Sequence, residues 1–212
     1  MRRIAVLGYL LAVVSGCAGG RAPDDGPATL PASFDAAAAT PEQVAALPRN
    51  QASAAVDAMV DKFIAQTNKQ CAAEIVGEDC LNRRYAAAFD PYGQFGEFCA
   101  MHGNGLEYRL CLMVAAETAP LVIAAGGNPG SDIAWSNLDD MNNAGRKKLM
   151  GAILPECGEE KSCIIGEMAQ RLGFSRFVRE SCQEHARFLD QLNCITDSIS
   201  VAVYRRAIAA TS

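Results

Sequence analysis

The two histidines of the chain each follow a cysteine by three residues, as Cys99 with His102 and Cys182 with His185. Residues three apart on a helix share one face, so each pair places two metal-ligand side chains together. Two thiolates and two imidazoles form a set that zinc prefers. If the cysteines are oxidised, the histidines alone remain as a pair for haem or a metal ion. We favour a structural role beside disulfides, because thiolates compete poorly with disulfide formation outside the cytoplasm.

The segment Phe98-Cys99-Ala100-Met101-His102 resembles the C-x-x-H-D motif of secreted phospholipases A2, and Tyr92-Gly93 lies upstream where that family has a calcium loop. The resemblance implies a hydrolase with His102 as its catalytic histidine. In the family an Asp follows and holds the histidine, whereas Gly103 follows here and Ala186 follows His185. Without that carboxylate the tautomer and charge of the imidazole are not fixed. A phospholipase A2-like hydrolase therefore ranks third among our functional interpretations.

Cysteines and histidines repeat along the chain at a constant offset of 83 residues. Both halves read C-x18-C-x2-H-x8-C, with Cys80, Cys99, His102 and Cys111 recurring as Cys163, Cys182, His185 and Cys194. Cys71 and Cys157 fit after a slip of three residues. Self-similarity at a fixed period indicates an internal repeat. We predict two related helical units from a duplication, over residues 51–126 and 127–212, packed as one domain.

These eight cysteines predict about four disulfides, whose connectivity the sequence leaves open. Identical pairing within each half permits three patterns. Pairing Cys182 with Cys194 requires the helix between them to break, because twelve helical residues span ~18 Å and a disulfide tolerates ~7 Å between Cα atoms. A nested scheme is natural for antiparallel hairpins and is similar to coiled-coil-helix proteins with paired cysteines: Cys80–Cys99 inside Cys71–Cys111, and Cys163–Cys182 inside Cys157–Cys194.

Apolar residues recur at helical spacing nearly throughout the chain, and no alternating strand pattern occurs. We therefore predict an all-α, disulfide-braced bundle. Its helices are expected at 51–75, 80–89, 94–102, 106–125 with a kink or end near Pro120, 136–154 before Pro155, 164–172, and 175–209. The apolar run from Leu110 to Gly127 is interrupted by Glu117 and Pro120, which indicates a buried helix rather than a membrane span.

The N-terminus has the pattern of an exported protein. Arg2 and Arg3 precede an apolar run, Ile4 to Val14, that is shorter than the ~20 residues needed to span a bilayer. It ends in Val14-Ser15-Gly16-Cys17, which resembles the lipobox of bacterial lipoproteins. The resemblance implies removal of residues 1–16 and lipidation of Cys17; an ordinary signal peptide is the alternative. Ala18 replaces the Asp that retains enteric lipoproteins at the inner membrane, so by analogy we expect the outer membrane, facing the periplasm or the cell surface.

Composition limits the remaining possibilities. The chain has 212 residues, a formal net charge of −5 and 50% apolar residues, which excludes a wholly disordered protein and gives no basic footprint for nucleic acid. Residues 17–50 hold five of the nine prolines, and we predict a lipidated, disordered tether there.

Together these features favour a non-enzymatic, lipid-anchored module that binds or scaffolds an envelope protein partner without a cofactor. The alternative is a metal- or haem-binding lipoprotein that uses His102 and His185, with zinc or haem as the cofactor. The sequence contains none of five common functional motifs: a serine-hydrolase elbow, a zinc-protease motif, a P-loop, an EF-hand or a covalent haem motif.

Overall fold

The computed structural model describes residues 28–74, 77–131 and 138–211, so the predicted signal peptide, Cys17 and the first part of the tether lie outside it. Within these ranges the regular structure is entirely helical, which confirms the all-α prediction. A 3₁₀ turn at Ala36–Ala38 precedes nine α-helices: α1 Pro41–Ala45, α2 Arg49–Cys71, α3 Gly77–Phe89, α4 Gly96–Ala100, α5 Leu106–Ala124, α6 Leu138–Cys157, α7 Lys161–Arg171, α8 Arg176–Gln183 and α9 Phe188–Ala210.

Four disulfides connect neighbouring helices, with Cα–Cα distances of 5.4–5.6 Å: Cys71–Cys80, Cys99–Cys111, Cys157–Cys163 and Cys182–Cys194. The pairing is the same in both halves, but it is sequential. Our nested scheme is therefore wrong. Its premise, a continuous helix from Ser175 to Ala209, fails because α8 ends at Gln183 and α9 begins at Phe188. The break lets Cys182 and Cys194 approach within 5.4 Å.

The unpredicted break between α8 and α9 is held by a side chain. The Gln191 amide donates to the carbonyls of Gln183 at 3.0 Å and His185 at 2.8 Å, which supplies partners for groups left open at the end of α8. Arg187 then adopts an extended conformation before α9 begins. The first half breaks at the equivalent place, where Gly103 has a φ of +137° that favours glycine. A glycine in the sequence therefore marks the break of the first half, whereas no glycine marks the break between α8 and α9.

Helix order is also the same in the two halves. The first half (α2–α5) and the second half (α6–α9) each run from a long helix, through two shorter ones, to a second long helix. The fourth helix of each half packs against the first helix of the other: α5 lies on α6, and α9 lies on α2. The fourth helices, α5 and α9, also contact each other. This interleaving agrees with the repeat, while descent from one duplicated unit stays a prediction.

Both halves contribute to one continuous core. Phe63 of α2 makes edge-to-face contacts with Tyr85 and Phe89 of α3, and Phe89 makes one with Tyr204 of α9. Pairs of this kind contribute roughly 0.5–1.5 kcal/mol beyond their buried area. In the second half, Leu149 and Ile153 are fully buried in the same cluster. No helix of the described residues is long and apolar enough to cross a membrane, and the run around Glu117 is the packed helix α5.

Two prolines lie within helices that we expected them to end or kink. α5 continues past Pro120 to Ala124, and α6 continues past Pro155 to Cys157. Each proline removes one backbone hydrogen bond, and both helices nevertheless continue beyond it. In α5, Leu121 and Val122 directly after the proline are buried.

We predicted a disordered tether through residue 50, but the last part of this segment is ordered in the structure. The 3₁₀ turn and α1 lie there, with α1 beginning in a capping box in which Thr40 and Gln43 bond each other's backbone. Ala39, Val44 and Ala45 are buried, and α1 packs on α8 and α9. The prolines of this segment favoured disorder, but small apolar side chains fit closely against two helices.

Candidate functional site

The two histidines occupy equivalent places in the fold. His102 lies in the turn between α4 and α5, and His185 lies in the turn between α8 and α9, each inside a disulfide-closed loop. Both are half-buried. The His102 ring lies edge-on to Phe98 with 5.0 Å between centroids, and its Nε2 is buried without a hydrogen-bond partner among the described residues.

Metal ligation by the cysteines is not available in this structure. Cys99 and Cys182 are each bonded to another sulfur, and zinc requires a thiolate. With these disulfides formed, Cys99 and Cys182 supply no thiolate to a zinc ion. Within the described ranges, no group of three or more histidine, cysteine or carboxylate side chains is placed to hold a metal. Ligation by the two histidines alone stays a prediction.

The segment similar to phospholipases A2 spans α4 and the turn that follows it. His102 lies in a turn rather than on a helix. Upstream, the Asp90 carboxylate accepts backbone N–H groups of Gln94 at 2.6 Å, Phe95 at 2.9 Å and Gly96 at 2.8 Å. It thereby holds the loop at the start of α4, and its oxygens are occupied by the backbone rather than directed at a calcium site.

A cluster of charged groups lies where the long helices of the two halves meet. We call it the junction cluster: Arg49 and Asp57 of α2, Glu117 of α5, Arg146 of α6, and Asp197 and Ser200 of α9. Arg49 forms an ion pair with Asp197 at 2.6 Å. The Ser200 hydroxyl donates to the Glu117 carboxylate. The second Glu117 oxygen, Oε1, is buried with no hydrogen-bond partner among the described residues, as is Arg146 Nε.

Burial dominates the protonation of this cluster. It raises the pKa of Glu117 from 4.5 to about 7, because the Ser200 hydroxyl and the positive charge of Arg146 offset only part of the desolvation cost. Burial likewise raises the pKa of Asp197 from 3.8 to about 7, despite Arg49 and Arg146. The pKa of Asp57 is also raised, by burial and then by Asp61. The junction cluster can therefore bind and release protons near neutral pH.

One member of this cluster is marked in the sequence. Glu117 is the single carboxylate of the apolar run from Leu110 to Gly127, and a carboxylate must be paired or protonated when buried. Arg49, Arg146 and Asp197 were not predicted as part of a site, since they are far apart in the chain and only the interleaving of the halves brings them together. At the repeat offset, Glu117 corresponds to Ser200, the residue that it contacts.

A shallow cleft lies beside the N-terminus of α8, lined by Gln170, Gly173, Phe174, Ser175, Arg176 and Arg179. A helix N-terminus attracts anions, but this one already has an acidic neighbour. The Ser175 hydroxyl donates to the Glu42 carboxylate of α1 at 2.9 Å. Arg176 is paired with Glu180 at 2.6 Å. The cleft therefore joins α1 to α8 and is not a candidate for binding a second anion.

Comparison with known proteins adds no relative. No family model matches the chain, and no curated protein or solved structure is significantly similar to it.

Proposed function

We propose that this protein is a non-enzymatic module of the bacterial cell envelope, attached through a lipid on Cys17 and binding or scaffolding an envelope protein. The observation that carries the proposal is the set of four disulfides in a helical body. Disulfides persist in oxidising compartments, which agrees with the export signal and lipobox of the sequence. The apolar run that precedes Cys17 supports export, and Ala18 supports the outer membrane.

Partner binding is supported by large apolar side chains that lie on the surface at the ends of helices. Tyr92 is 85% exposed and Met101 is 75% exposed, both in loops next to α4. Phe177 at the start of α8 and Leu189 at the start of α9 are each half exposed. Apolar side chains of this size are common at protein interfaces.

Anchoring is tested by expressing the full chain and its Cys17→Ser variant in a bacterial host and separating membranes from soluble protein. We expect the wild type in the membrane fraction, with an N-terminal peptide mass raised by acyl chains, and the variant released from it. Unmodified wild-type protein in the soluble fraction would contradict the proposal. Native intact mass should rise by about 8 Da on reduction, two hydrogens for each of four bridges.

The partner is tested by crosslinking the anchored protein in native membranes. We expect a defined crosslinked species that Met101→Asp or Leu189→Asp removes, with Glu159→Gln as a surface control. Identical crosslinks in all forms would show that these side chains do not mediate binding.

The alternative function, ligation of haem or a metal by His102 and His185, is favoured by one observation, the buried Nε2 of His102 that lacks a protein partner. Metal analysis and a visible spectrum of the purified protein test it directly. A bound metal or haem band that His102→Ala removes would support ligation, and its absence from protein purified from native membranes would reject it.

A further inference from the structure

Apart from the chain itself, the described residues provide no covalent bond between the two halves. All four disulfides join cysteines of the same half. The halves are held by the packing of α5 on α6, of α9 on α2 and α3, and of α5 on α9. The stability of this contact therefore depends on the side chains within it.

Glu117 is one of the residues at this contact whose ionisation is disfavoured by burial. It lies on α5 against Ser200 of α9, and one of its carboxylate oxygens has no partner among the described residues. An ionised carboxylate without full hydrogen bonding is strongly disfavoured away from water. A protonated carboxyl is neutral and avoids most of that cost.

The charges around Glu117 do not compensate its ionisation. Asp197 of α9 repels it, and Arg146 of α6 attracts it without a hydrogen bond from Nε to any described residue. From α2, Arg49 is engaged with Asp197, and Asp57 adds a further negative charge to the cluster.

The other groups near Glu117 and on the helices packed against α5 do not stabilise its ionised form. Tyr204 of α9 is fully buried, and the charge of Glu117 raises its pKa further, so it stays neutral. Tyr85 of α3 faces Tyr204 and is also neutral, since burial raises its pKa. Arg109 of α5, whose positive charge acts on Tyr85, pairs with Glu78 at 2.5 Å. α4 carries a single charged residue, Glu97, which is acidic.

We propose that the contact between the halves is a pH-sensitive junction: protonated Glu117 lets α5 pack closely on α9, and ionised Glu117 loosens that packing near and above neutral pH. The direction follows from linkage. The pKa of Glu117 is about 7 in the fold, against an ordinary value of 4.5 for a solvated glutamate. Between these values the folded chain holds a proton that the unfolded chain has released, so stability falls as pH rises from about 4.5 to about 7 and then levels. Asp197 and Asp57 act in the same direction.

Thermal unfolding at about pH 5 and about pH 8 tests the junction in the intact protein. We expect the wild type to melt several degrees higher at the lower pH. Glu117→Gln copies the protonated carboxyl in shape and charge, so it should lose the share of this difference that Glu117 contributes and melt above the wild type at the higher pH. Asp197 and Asp57 remain in the variant and keep the rest of the difference. Glu159→Gln changes an exposed carboxylate outside the junction and should keep the wild-type difference.

Hydrogen exchange, corrected for intrinsic pH dependence, locates the effect. Amides of α5 and α9 should lose protection at the higher pH in the wild type and lose less of it in Glu117→Gln. The disulfide-closed turns should change equally in both proteins.

Equal or higher wild-type melting temperature at the higher pH would overturn the proposal, as would a folded Glu117→Gln that keeps the full difference. If that variant fails to fold, Ser200→Ala decides. It removes the donor that favours the ionised carboxylate, so the fall in melting temperature should move to higher pH. An unchanged midpoint would contradict the junction.

Discussion

The two halves of the molecule share their covalent frame and differ in the polar groups that complete it. Both place their cysteines on the same helices in the same order and close the same loop around a histidine. At equivalent positions, however, one half has Glu117 and the other Ser200. The start of the third helix differs as well: Asp90 accepts three backbone N–H groups in the first half, whereas Ser175 accepts one, from Val178 at 3.4 Å, in the second. The comparison teaches that the two halves share the same disulfide-linked helices, while their helix caps and buried polar groups differ.

The largest effect should come from the bridges that the halves share. Replacing Cys99 and Cys111 together by alanine, or Cys182 and Cys194 together, should each cost about 3 kcal/mol, because both bridges close loops of the same length. Urea unfolding of the purified variants measures this. Removing the Cys157–Cys163 bridge, which closes half that length, should cost about 0.6 kcal/mol less. A large loss in one half and none in the other would break the equivalence of the halves.

A smaller effect should separate the halves at the start of the third helix. Asp90→Ala leaves three N–H groups without their acceptor and should cost about 2 kcal/mol. Ser175→Ala removes one weaker cap and should cost about 1 kcal/mol or less. Denaturant unfolding gives both free energies, and the opposite order would show that the caps do not differ as the geometry indicates.

The smallest net effect concerns the contact of α5 with α6, where Gly145 lies against the side chains of Thr118 and Leu121. A Cβ there would lie 2.6 Å from Cγ2 of Thr118, so Gly145→Ala should destabilise by about 1–2 kcal/mol despite its better helix propensity. Gly151 of the same helix has nothing within 4 Å of the equivalent position, and Gly151→Ala should stabilise by about 0.5–1 kcal/mol. Melting temperatures of the two variants test this, and a stabilising Gly145→Ala would contradict the close approach.

Much of the fold was predictable from local patterns. Helical spacing located most helices because an apolar stripe facing a core recurs every 3.6 residues. It failed between α8 and α9, where Gln191 holds a break that no glycine marks. It also failed at Pro155, where α6 continues to Cys157 although we expected the helix to end before the proline.

The candidate site was less predictable, since its members come from four helices. His102 and His185 were singled out by spacing, and the structure gives them equivalent turns. Glu117 was noticed as an interruption, but its relation to Arg146 and Asp197 depends on the packing of one half against the other.

By itself the sequence determined the helical class, the repeating cysteine frame and the oxidation of its eight members, because periodicity and spacing are properties of the chain. Tertiary structure decided which cysteines bond and which charges share the interior, because those choices depend on where helices break and how the halves interleave. The spacing of residues along the chain determines neither the disulfide pairing nor the contacts among buried charges, because both depend on the three-dimensional packing of the helices.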